Sequence, residues 1–147
     1  MIKSFRGQIA NGGQDTIRLS TNKGEIGYKI LKFQLMAPNP GTSAIESTMK
    51  IYKTNQGTSI DSLVNFSSSN LLAAAFLAHD NAPQYSSVET IIFDNEVFNQ
   101  DIFVTHSNSH SAGGDYLACN YYIELEQVKL NLIEATVATL KDMRGNQ

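Results

Sequence analysis

The chain has 147 residues, of which 41% are hydrophobic and 17% charged, with a net charge of −3. This is about one domain's worth of chain, able to bury roughly 68–70% of its unfolded surface, so folding requires no disulfide or metal staple; with Cys119 the single cysteine, an intrachain disulfide is excluded. The acidic balance argues against phosphate-backbone binding, and no apolar run approaches the roughly 20 residues that cross a bilayer.

The first residues, Met1-Ile2-Lys3-Ser4-Phe5-Arg6, carry charge but no following apolar core, so the expectation is a mature, soluble chain rather than a secretory leader. After Phe5 to Ile9, Asn11-Gly12-Gly13 is turn chemistry, tolerant of positive φ. Thr16 to Ser20 alternates with period two, Ile17 and Leu19 on one face and Arg18 on the other. Glu25 to Ala37 is the longest strand signal. Ile26, Tyr28 and Ile30 hold one parity, and Leu31, Phe33 and Leu35 the other. Such a phase shift means a β-bulge or a strand covered on both faces, and Lys29 and Lys32 bracket it. Pro38-Asn39-Pro40-Gly41 ends the strand, because proline cannot donate to a ladder.

Ser47 to Thr54 reads as a strand, with Met49 and Ile51 opposed to Lys50 and Tyr52. Asn55-Gln56-Gly57 turns the chain, and Ile60, Ser62, Val64 and Phe66 alternate again as a further strand. Leu71 to Ala78 is ambiguous. Its Leu and Ala content favours helix with Asn70 as cap, while its neighbours are strands. Past a turn at Asp80 to Pro83, Val88 to Phe93 is β-branched strand. Asp94-Asn95 turns, and Val97-Phe98 and Asp101 to Thr105 continue the β pattern. Ser107 to Asp115 reads as a polar loop, and Tyr116 to Leu132 as a long strand with its own parity slip.

A short helix is expected from about 132 to 143. Asn131 and Glu134 have capping-box spacing, and Ile133, Val137 and Leu140 form an apolar stripe at i, i+4, i+7. Lys141 and Arg144 suit the helix dipole, and Gly145 is placed to stop the helix. The whole reads as a single domain over 1–147, mainly β: an antiparallel β-sandwich, jelly-roll-like, closed by that helix.

Chemistry-bearing patterns are sparse. His106-x-x-x-His110, near Asp101 and Asp115, has metal-like spacing but lies in a Ser-Asn-Gly stretch with no helix to impose geometry. Cys119 sits in a strand context, where a lone cysteine is usually a small buried hydrophobe. Glu124 and Glu126, two apart on a strand, share a face as a solvated or partner-facing row rather than facing across a cleft. Tyr121 and Tyr122 are adjacent, so one must face outward unless both sheet faces are covered, and an outward Tyr is an interface anchor. Tyr121, Tyr122, Glu124, Glu126, Lys29 and Lys32 are therefore the candidate interface residues. No catalytic residue, metal or cofactor is indicated, and an enzyme is not expected.

Residues 1–53 hold eight Lys or Arg against three Asp or Glu, and residues 54–147 three against eleven. Either strands of the two halves interleave and the field averages out, or the molecule is bipolar and docks head to tail.

Ile92 to His106, Cys119 to Glu126, Ala135 to Asp142, Phe5-Arg6-Gly7 and Gln14 to Ser20 resemble a group of small proteins encoded by tailed bacteriophages, particularly marine ones, over nearly the whole chain. The resemblance implies a virion component made in the host cytoplasm and carries over no catalytic residues. The expectation is a capsid decoration or cement protein on the head surface. It would be a homo-oligomer, such as a trimer, bound to the major capsid protein or other virion proteins, with no nucleic acid or membrane partner. A tail or baseplate component is the alternative, and a carbohydrate- or host-surface-binding sandwich the second.

Overall fold

A computed structural model of the chain describes residues 1–21, 25–40, 45–79, 86–93, 96–109 and 118–144. Among these, the strands are β1 (Ile2–Ile9), β2 (Gln14–Ile17), β3 (Ile26–Met36), β4 (Ile45–Tyr52), β5 (Leu71–His79), β6 (Ser86–Ile92), β7 (Ile102–Asn108) and β8 (Cys119–Lys129), and the helix is α1 (Leu132–Arg144). The expected turns at 80–83 and 94–95, His110, Asp115 and Gly145 lie outside the described residues.

The strands form two antiparallel sheets, β1-β8-β3 and β2-β7-β4-β5-β6. The first strand pairs with the last, β2 with β7, and β4 with β5. This is the order made by rolling one long hairpin, as in a jelly roll. The departure is β6, which ladders to β5 and not to β3. The core lies between the sheets. Ile30, Phe33, Ile123 and Leu125 face Met49, Ile51, Ile102 and Val104, each under one-tenth exposed. Each such side chain contributes about 1.5–3 kcal/mol on burial.

The phase shift of β3 is a bulge. Ile30 pairs with Leu125 and Lys32 with Glu124, leaving Leu31 as the extra, partly exposed residue. β8 carries no such break: its inner parity ends at Leu125, and Val128 and Leu130 turn to a second small core beneath α1. Residues 71–79 are strand. β4 and β6 flank them and both faces are covered, so tertiary pairing overrides helix propensity.

The strand expected over 60–66 does not form. Asp61 Oδ1 accepts the Leu63 amide at 3.1 Å, and Asn65 Oδ1 accepts the Ser67 amide at 3.0 Å. These local side-chain bonds compete with a ladder. The segment lies across the outer face of the five-stranded sheet, where buried Lys50 reaches it, its ammonium 3.3 Å from Asp61 and donating to the Leu63 carbonyl. The polar loop expected from Ser107 also starts later, since Ser107 and Asn108 belong to β7.

The capping box of α1 forms: the Glu134 amide donates to Asn131 Oδ1 at 2.7 Å, and the Asn131 amide to Glu134 Oε1 at 3.4 Å. The stripe of a surface helix ordinarily turns inward. Here Ala135 and Ala138 pack on Leu130, while Ile133, Val137 and Leu140 are 77%, 52% and 54% exposed. Asn99 pins that alanine face, donating from Nδ2 to Thr139 Oγ1 at 2.7 Å and to the Ala135 carbonyl at 3.3 Å.

Candidate functional site

Even-numbered residues of β8 point away from the core, so Asn120, Tyr122, Glu124 and Glu126 line the outer face of the three-stranded sheet. The register brings Lys29 beside Glu126 and Lys32 beside Glu124, with nitrogen–oxygen distances of 3.6 and 3.7 Å. Tyr122 Oη donates to Glu124 Oε2 at 2.7 Å, and this bond to a carboxylate, ahead of burial and of the carboxylate's charge, raises the phenol above its ordinary range. Five of the six expected interface residues thus share one surface.

The sixth, Tyr121, is on the inner side. It lies against Gly7, is only 6% exposed, and donates to Asp15 Oδ2 at 3.0 Å. Burial, then the Asp15 carboxylate, pushes its phenol upward. As an outward anchor Tyr122 takes its place. Beside Tyr122, Arg6, Gln34, Met36 and Asn120 line a shallow groove of about 540 Å³, with Gln8 holding Asn120 Oδ1 at 3.0 Å.

Part of the charge asymmetry of the sequence is spent inside the molecule. Lys29–Glu126, Lys32–Glu124, Lys50–Asp61 and Lys53–Glu96 each join a lysine of the first 53 residues to an acid beyond them. The strands interleave, and these pairs match four of the eight basic residues of the first 53 with later acids. On the open sheet face such pairs contribute only about 0–1 kcal/mol each.

The remaining sequence candidates occupy packed or hydrogen-bonded positions away from this face. His106, expected in a flexible loop, is fully buried in β7, its Nε2 2.9 Å from Ser47 Oγ. Burial lowers its pKa against the opposing pull of the Ala10 and Ile9 backbone. Asp101 accepts the Leu19 and Ser20 amides at 2.7 and 2.9 Å. Burial alone would raise its pKa, but these bonds, with Arg18 nearby, outweigh it and hold the carboxyl below 3.8. Cys119 is fully buried, and desolvation pushes its thiol up to about 11. Among the described residues no group of three His, Cys, Asp or Glu could hold a metal ion, and no helix is long and apolar enough to cross a membrane.

Neither a family model nor a curated protein matches this chain. Its surfaces therefore carry the functional reading.

Two apolar surfaces lie outside the six expected interface residues. One is the exposed stripe of α1. The other is a groove of about 370 Å³ between the 62–66 segment and the five-stranded sheet, where Val64, Phe66 and Ile91 are 45%, 57% and 46% exposed and Phe76 and Glu89 complete the wall. The signal for the first was present: Ala135 and Ala138 form a second, smaller stripe on the opposite side of the helix from Ile133. For the second, alternation over 60–66 concealed an apolar loop.

Proposed function

We propose that this chain is a viral structural protein, a decoration or cement protein seated on an assembled phage head. The observation that carries the reading is the pair of apolar outer surfaces, on α1 and at Leu63, Val64, Phe66 and Ile91. The largest exposed apolar patch of a protein is often a functional one, and patches beyond a few hundred Å² mark protein–protein, membrane or ligand contact. The strand order adds analogy: jelly rolls serve in viral capsids and in lectins, although architecture alone does not dictate function.

The mechanism is mass action. A protein that binds only the assembled shell stabilises that shell, by about 2.7 kcal/mol per site when free protein stands at 100 times its dissociation constant. The neutralised sheet face leaves the apolar surfaces, rather than opposed charge patches, to hold neighbours together.

Quantitative mass spectrometry of purified particles from a phage encoding this chain tests the proposal. Hundreds of copies per particle are expected. A few to a few dozen copies would place it in the tail or baseplate instead, and absence from the particle would remove the virion role.

A second reading is supported by the groove beside Tyr122, where an outward phenol ring, Arg6, Gln34 and Asn120 offer a stacking surface and polar donors to a sugar. A glycan array distinguishes it: binding lost in Tyr122→Ala supports a carbohydrate-binding module, and an array without hits rejects it.

A further inference from the structure

The helix α1 poses a specific physical question, because it is held to the sandwich by its small residues and offers its large ones to solvent. Ala135 and Ala138 sit at 3% and 8% exposure on Leu130, Val97 and Val128, and Asn99 clamps the same side. Ile133, Val137 and Leu140 therefore cannot turn inward without breaking that seat. Three residues at i, i+4 and i+7 make a continuous ridge along one side of a helix. Exposed Glu134 and Lys141 stand about a quarter-turn from the ridge, both on the same flank, one near each end.

We infer that this ridge is a two-fold docking surface for a second copy of the chain, with the two α1 helices packed antiparallel about an axis near Val137. The charge pattern selects the occupant and the direction. In an antiparallel pair each flank meets its own counterpart running the other way, so Glu134 of each copy lies opposite Lys141 of the other, giving two attractive contacts. A parallel pair sets this flank against the opposite flank of its mate, so no Glu134–Lys141 contact forms between copies. A two-fold contact of this kind is self-complementary and closes, so it makes dimers and not filaments. The ridge buries far less than the roughly 1,200–2,000 Å² of a standard interface, so the free dimer is weak, with a dissociation constant on the order of 10⁻⁴ M. Copies held together on a larger assembly would pair at much higher effective concentration. The inference rests on the assembly reading only in taking the ridge to meet protein, and it is tested without particles.

The test is sedimentation equilibrium of the full chain from about 10 µM to 1 mM. A reversible monomer–dimer equilibrium is expected, weakened at least tenfold in Val137→Asp, an exposed position where the fold tolerates charge. Lys141→Glu is expected to weaken it about tenfold, and adding Glu134→Lys to recover most of that loss, because the double reversal recreates both attractive contacts while giving up the Glu134 carboxylate's bond to the Asn131 amide. Circular dichroism verifies that each variant keeps its fold. Cross-linking fixes the direction. Cys119 is buried, so an introduced surface thiol is the reactive one. Oxidised Val137→Cys should form a covalent dimer, whereas Ile133→Cys should not, its two copies lying about 12 Å apart along the antiparallel axis, beyond disulfide reach. Cross-linking of both variants, a dimer indifferent to the charge reversals, or a monomer at every concentration would each overturn the inference. A monomer that is nonetheless abundant in particles would assign the ridge to another virion protein and leave the cement reading standing. A dimer absent from particles would do the reverse.

Discussion

Gly7 and Tyr121 sit opposite each other on β1 and β8, and the ring of Tyr121 occupies the space a side chain at position 7 would need. A Cβ there would come within 2.9 Å of the ring, so Gly7→Ala must push Tyr121 off Asp15 or bend β1. Overpacking of this kind costs about 1–3 kcal/mol, and chemical denaturation should register a loss of that size. His106 makes a separate, pH-dependent contribution. Its folded pKa lies below the free value of 6.5, so below that pH the unfolded chain takes up a proton that the folded protein refuses. Stability is therefore fully present above 6.5, falls as pH drops through the interval, and levels off once the folded imidazole also protonates. Denaturation midpoints measured from pH 8 to pH 4 should show this acid limb, and His106→Gln should flatten it. Neither role was visible in the spacing of His106 and His110, because the metal-like pattern gave no hint that His106 faces Ser47 from a neighbouring strand.

At the scale of elements, the bulge in β3 shows what alternation can reveal. Tyr28 and Ile30 face inward on one parity and Phe33 on the other; the sequence bracketed the break between Lys29 and Lys32 but left a bulge and a doubly covered strand as alternatives, and the register, which slips between Ile30 and Lys32, decides for the bulge. Deleting Leu31 should join Ile30 to Lys32 with pairing intact on both sides, costing about 1 kcal/mol or less. Deleting Leu125 from the central strand β8 flips every later side chain to the opposite face and should abolish folding. Thermal melts of the two deletions compare them directly. Residues 71–79 were illegible for the opposite reason. Their alanines fit a helix in isolation, and only the cover supplied by β4, β6 and the 60–66 segment makes them a central strand. That same segment imitated a strand because Ile60, Val64 and Phe66 alternate, while Asp61 and Asn65 turned the backbone aside. For α1 the boundaries were legible from the Asn131–Glu134 box, but the side facing the core was not, since two alanines and an asparagine from another segment decided it.

Across the whole molecule, the antiparallel sandwich followed from turn spacing, whereas the pairing of first strand with last and the retention of β6 beside β5 are long-range choices that no local pattern encodes. The same interleaving explains how a chain basic in its first third and acidic thereafter has four of its early lysines matched to later acids. The exposed apolar surfaces are the ridge of α1 and the surface around Val64, Phe66 and Ile91. The proposed function stands on those surfaces being covered by neighbours. Cryo-electron microscopy of intact particles measures that cover directly. The account predicts density for this chain on the head, with the α1 ridge or the Phe66 surface buried against an adjoining subunit. Density in which both surfaces face solvent in every copy would contradict it.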